Sequence, residues 1–104
     1  MPAILVLTNL PDSGAAFNLA RELVSLRLAA CANVLAPAHS IYRWDGKLEE
    51  ATEHPLLIKT THERYAEVEA AIRARHPYSV PEIVAWPIER GLAEYLRWVE
   101  EETR

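Results

Sequence analysis

Few side chains in this 104-residue chain can do chemistry, and they lie far apart. Cys31 is the only thiol. A thiolate is a nucleophile or a soft-metal ligand, but in Leu28-Ala29-Ala30-Cys31-Ala32 it also reads as a small buried residue. Of the histidines His39, His54, His62 and His76, no two have the spacing of a helical metal pair. His76 stands directly before Pro77, which gives it the best fixed geometry for a ligand or a hydrogen bond. Glu82 follows Pro81 and has a similarly restrained backbone. Lys59 interrupts the apolar Leu56-Leu57-Ile58, as a snorkelling side chain or as the partner of Glu53 or Glu82. Tyr42 and Trp44, two apart, make an aromatic platform for stacking or for packing between subunits. There is no GxGxxG, phosphate loop, CxxC, HExxH or GxSxG, so no enzyme is expected.

The elements that must position these groups centre on the stretch from Leu28 to Thr61. Two extended runs, Ala30 to Trp44 and Lys47 to Thr60, flank Asp45-Gly46. Asp-Gly suits a type I′ turn, whose two central residues both need positive φ. That turn sets Trp44 against Lys47, Tyr42 against Glu49 and His39 against Thr52, with His54 diagonal to His39. It also puts Ser40, Tyr42 and Trp44 on one face. A straight first arm would span roughly 50 Å, whereas a compact chain of this length has a diameter of roughly 33 Å. Unless Pro37 and Pro55 bend the arms, the hairpin overhangs its own domain, and its aromatic tip asks for a partner.

Around the hairpin, Ala3 to Leu7 reads as a strand buried on both faces. Asp12 or Ser13 caps an amphipathic helix from Ala15 to Leu28. Thr60-Thr61-His62-Glu63 reads as a capping box opening a helix that runs to Arg75. Glu82 to Trp86 is a short strand, and a last helix carries Leu92, Tyr95, Leu96 and Val99. The order predicts an α+β, ferredoxin-like β-α-β-β-α-β sandwich with a long central β-hairpin and a C-terminal helix, residues 1–104 forming one domain. Right-handed crossovers are expected to put the first and last strands inside the sheet and the hairpin strands nearer its edges.

A net charge of -4 argues against a phosphate-backbone partner, so no nucleic acid is expected. The first apolar run is too short for a signal peptide or a membrane span. With one unpaired cysteine, the expected setting is a reducing, cytoplasmic one and the expected partners include no membrane.

Five segments together resemble the CutA family of divalent-cation tolerance proteins. They are Leu28 to Asn33, Ser40 to Lys47, Glu53 with Leu57 to Thr60, His76 to Ile83, and Tyr95 to Trp98. The resemblance implies a tight homotrimer similar to the PII signalling proteins, in which the hairpin reaches a neighbour. It also implies tolerance to copper and other divalent metal ions, with no catalytic reaction. By position, Cys31 and His76 become the metal donors, a set suited to soft copper. Arg75, rather than a second histidine, precedes His76 and thins that set. Tyr42, Trp44, Glu53, Lys59, Tyr78 and Glu82 fall at motif positions expected around an inter-subunit cleft. The alternative is a PII-like signalling or scaffold trimer whose cleft takes a small anion or metabolite through Lys59, Tyr78 and Arg43.

Overall fold

A computed structural model describes residues 2–104. Its elements are β1 (Ala3–Leu10), α1 (Ser13–Ser25), β2 (Cys31–Val34), β3 (Ala38–Trp44) and β4 (Lys47–Thr61). A 3₁₀ turn (His62–Arg64) then leads into α2 (Tyr65–Arg75), β5 (Ile83–Pro87) and α3 (Ala93–Glu102). The strands form one antiparallel sheet in the order β2-β4-β1-β5, with β3 extending the β2 side of β4. This is the expected ferredoxin-like arrangement.

The strand order differs from expectation in one respect. The inner strands are β1 and the second hairpin arm β4, while the last strand, β5, lies at an edge. The reason is direction. A helical crossover returns the chain parallel to the strand it left, so β2 runs parallel to β1 and cannot take an antiparallel place beside it. Each crossover therefore strides over one strand, and the two interlock.

The hairpin register is the one that Asp45-Gly46 dictates. Trp44 faces Lys47, Tyr42 faces Glu49 and His39 faces Thr52. Asp45 and Gly46 have φ of 51° and 75°, both positive as a type I′ turn requires. Pro55 does not interrupt β4, whereas the first arm breaks at Leu35-Ala36-Pro37. Val34 pairs with Leu56 and Ala38 with Glu53, so the first arm carries one extra residue. One extra residue flips the side-chain alternation. Cys31 and Asn33 consequently share a face with Ser40, Tyr42 and Trp44, which an unbroken arm would have opposed. The hairpin draws the molecule out to 45 Å, against 25 and 23 Å across.

One sheet face, with Ile4, Val6, Leu10, Leu56 and Ile58, packs on Leu19 and Leu23 of α1 and Val68 and Ile72 of α2 to form the core. The opposite face has no such cover. In β1 the even-numbered residues are buried and Leu5, Leu7 and Asn9 only partly so, instead of the double-sided burial expected of its apolar run. Among the described helices only α3 lies on this side, where Val99 packs with Ala3 and Ala30 at one end. Leu57 is half-buried, and Val84 and Trp86 remain 44% and 42% exposed.

Side chains serve the start of α1 and the end of α3. Asp12 accepts from Ala15 N–H at 2.8 Å, as its sequence position suggests. Helix α1 stops three residues early because Arg27 takes φ 60°, with Leu28 N–H donating to Leu23 C=O. From there Arg27 donates to the Glu101 and Arg104 carbonyls, and Arg64 donates to that of Thr103. These guanidinium groups occupy acceptors that the end of α3 leaves open. The expected capping box does not form. Ala3 pairs with Thr61, which keeps β4 extended to that point, and the Thr60 hydroxyl donates to Leu28 C=O at 2.6 Å.

A Cβ on Gly46 would meet nothing within 4 Å, so its replacement tests the backbone alone. Gly46→Ala should lower stability by about 1 kcal/mol in chemical unfolding. An unchanged unfolding midpoint would contradict the positive-φ turn.

Candidate functional site

The bend before Pro77 and the tight segment to Pro81 carry the chain from α2 back to the uncovered face. There Glu82 accepts from the Asn9 side-chain amide at 2.8 Å, which fixes the carboxylate beside the end of β1. Tyr78 precedes it in the same segment. From the other side, β3 presents Tyr42 and Trp44 and β4 presents Glu53. These five side chains line one open cleft of about 580 Å³ that runs along β3 from the root of the hairpin towards its turn. Ser40, Ser79 and Val80 complete much of its wall.

Electrostatically the cleft is one-sided. It contains two carboxylates, and among the described residues no Lys, Arg or His lines it. The Tyr78 phenol is raised above its ordinary pKa, first by burial and then by the negative charge of Glu53 and by Tyr42. It therefore stays neutral to higher pH than a free tyrosine, as a hydrogen-bond donor on the wall.

Lys59 does not join these groups. It lies six residues along β4 from Glu53, roughly 20 Å away. Its ammonium donates to Asn33 Oδ1 at 2.9 Å, so its partner is neither Glu53 nor Glu82. Arg43 is likewise absent from the cleft wall. Asn33 and Asn9, which orient Lys59 and Glu82, were not singled out from the sequence. Each lies on the same face as the charged group it bonds, a placement that needs the strand register to be seen.

The two candidate metal donors sit apart. Cys31 opposes Lys59 across β2 and β4 and is half-buried, its Sγ 3.8 Å from Asn33 Oδ1. His76 is buried, at 8% exposure, near the far end of β1. Its Nε2 donates to the Asn9 carbonyl, which leaves Nδ1 to accept from Tyr78 N–H at 3.3 Å. The imidazole also packs on the Tyr78 ring, with centroids 4.7 Å apart. Cys31 lies level with Leu5 and His76 with Asn9, about 13 Å along the sheet. Among the described residues no three His, Cys, Asp or Glu side chains come together as a metal-holding group.

The family model for CutA1 divalent ion tolerance protein matches residues 4–102. The divalent-cation tolerance protein CutA of Thermus thermophilus is 46% identical over 99 residues, 95% of this chain and 96% of that one. Among solved structures, CutA1 from Oryza sativa superposes with a TM-score of 0.96 at 36% identity, covering 100% of this chain and 95% of that one. The periplasmic divalent cation tolerance protein CutA from Archaeoglobus fulgidus superposes with a TM-score of 0.95 at 39% identity, over 98% and 99% of the two chains.

With both ring nitrogens engaged inside the fold, His76 is first a structural residue. His76→Ala should cost about 1–3 kcal/mol in urea unfolding with chelator present, since it strands the part-buried Asn9 carbonyl. A loss that appears only when metal is added would instead make the imidazole a ligand.

Proposed function

The chain belongs to the CutA1 divalent ion tolerance family, and from that premise we propose that it works as a cytoplasmic homotrimer that binds a soft metal ion, copper foremost, without catalysing a reaction. The non-catalytic part rests on the family's description, which names a tolerance and not a reaction.

Trimer formation is supported by the half-covered sheet face. Leu5, Leu7, Leu57, Val84 and Trp86 form an apolar surface there, and the hairpin projects beside it with Ile41, Trp44 and Leu48 all more than half exposed. Apolar surface of this extent marks an interaction site. The number three comes from the family resemblance.

The observation that carries the metal assignment is the position of Cys31 on that same face, half-buried beside Asn33 and Lys59. A thiolate selects soft ions, copper(I) above magnesium or calcium. One thiol is a poor site by itself. The assembly is what can add donors, and His76 can contribute only by giving up its bonds to Asn9 and Tyr78. A free thiol of this kind suits a reducing compartment, which favours the cytoplasm for this chain, although the Archaeoglobus relative is described as periplasmic.

A second reading, a PII-like signalling trimer that binds a small molecule, is favoured by the cleft between β3 and the Tyr78–Glu82 segment. The two readings use different residues and need not exclude one another.

Copper(I) titrated under reducing conditions against a chelator of known affinity should bind at a fixed ratio per assembly. Cys31→Ser should weaken that binding at least about tenfold. Binding indifferent to Cys31 would mean that tolerance is not exerted through this thiol.

A further inference from the structure

The segment that walls the cleft opposite β3 is tied at both ends to one residue. At its start, His76 Nε2 donates to the Asn9 carbonyl. At its finish, Glu82 accepts from the Asn9 side-chain amide at 2.8 Å. Strand register explains why Asn9 has both groups to offer. Opposite it in β4 stands Pro55, which has no N–H for the Asn9 carbonyl. On its other side, β5 begins at Ile83 opposite Thr8, so Glu82 arrives level with Asn9 just before pairing starts. Between the two ties lie Tyr78, Ser79 and Val80, all of which line the cleft.

We infer that Asn9 and His76 are positioning residues that clasp the 76–82 segment as a strap and set that wall of the cleft in advance of any occupant. Every bond involved lies within one chain, so the clasp holds whether water, a ligand or a neighbouring subunit fills the space. The inference needs neither the metal reading nor the small-molecule reading. It does take His76 away from the first, which leaves Cys31 and whatever the assembly adds.

The chemistry of both positions fits this role. Position 76 asks for a donor towards Asn9, an acceptor for Tyr78 N–H at 3.3 Å and a flat face for the Tyr78 ring, its centroid 4.7 Å away. An imidazole with one protonated nitrogen offers all three, whereas an amide lacks the ring and a phenyl lacks the polar atoms. The same engagement disqualifies it as a metal donor in this fold. Nε2 carries the proton that Asn9 accepts, Tyr78 N–H takes the Nδ1 lone pair, and the ring is buried. At position 9 the side chain must donate, because the Glu82 carboxylate only accepts. An aspartate there would keep the shape but face Glu82 with a like charge.

The test is the backbone order parameter along the segment, from nitrogen-15 relaxation of the full chain in its native assembly. In the parent, Tyr78, Val80 and Glu82 should be as rigid as the sheet, at about 0.85. Asn9→Asp should release the Glu82 end and bring Val80 and Glu82 below about 0.6. Adding Glu82→Gln gives the new carboxylate an amide donor and should restore the parent value. A general loss of stability cannot produce that rescue, and Gly46→Ala, which weakens only the hairpin turn, should leave the segment rigid. His76→Phe should loosen Tyr78 in the same way; if it does not fold, the Asn9→Asp and Glu82→Gln pair still decides. A segment that stays rigid in Asn9→Asp would mean that its prolines or a neighbouring subunit hold it, which would overturn the inference. Loosening that Glu82→Gln does not repair would overturn it as well. Copper(I) added to the parent should leave Tyr78 unchanged. Loosening by copper that requires His76 would make the imidazole a metal donor, which removes it from the clasp and leaves the metal reading standing.

Discussion

The structure depends on a sheet covered on one side only. Helices α1 and α2 bury Ile4, Val6, Leu56 and Ile58, whereas on the reverse of the same strands Leu5, Leu7 and Leu57 are only partly covered and α3 is the one described helix, at one end. Full burial of a Leu or Val side chain is worth about 1.5–3 kcal/mol, so each half-covered one forgoes roughly 1 kcal/mol. Summed over Leu5, Leu7, Leu57, Val84 and Trp86, that is of the order of a small domain's whole stability. A chain that places such residues there is built to have the face covered by something other than itself. The proposed trimer supplies that cover, and a β-strand edge at β5 lies alongside it.

The candidate functional groups follow from the same asymmetry. Both the Cys31–Asn33–Lys59 group and the aromatic–acidic cleft stand on the uncovered face, one near its middle and one along the hairpin. A single extra residue in Leu35-Ala36-Pro37 puts them on one face. Without it Cys31 would point towards the helices. Proline at 37 cannot donate to a ladder, so a break at that point costs the sheet little.

Much of this was legible in the sequence because local chemistry decided it. Asp45-Gly46 determined the turn, the turn determined the register, and the alternation along β3 placed Tyr42 and Trp44 together. Asp12 marked the start of α1 because its carboxylate has only the open N–H groups ahead of it to serve. Where competing tertiary bonds decide, the same reading failed. Thr60 has the spacing of a capping residue, but its hydroxyl serves Leu28 and its strand runs on. The apolar run of β1 suggested burial on both sides, since hydrophobicity reports what must be covered and not whether this chain or another covers it. Lys59 occurs at a motif position yet stands well along β4 from the cleft, because sequence proximity to Glu53 converts to distance in a strand. Strand order needed both crossovers to be solved together, which no single segment encodes.

The central claim is that the uncovered face joins subunits, and the most direct measurement is the native mass in solution by sedimentation equilibrium across the micromolar range. Three times the 11.8 kDa chain mass, with no dissociation on dilution, is the expected result. A particle with the mass of one chain would mean that the face meets water, and both the assembly and the metal site that depends on it would have to be abandoned.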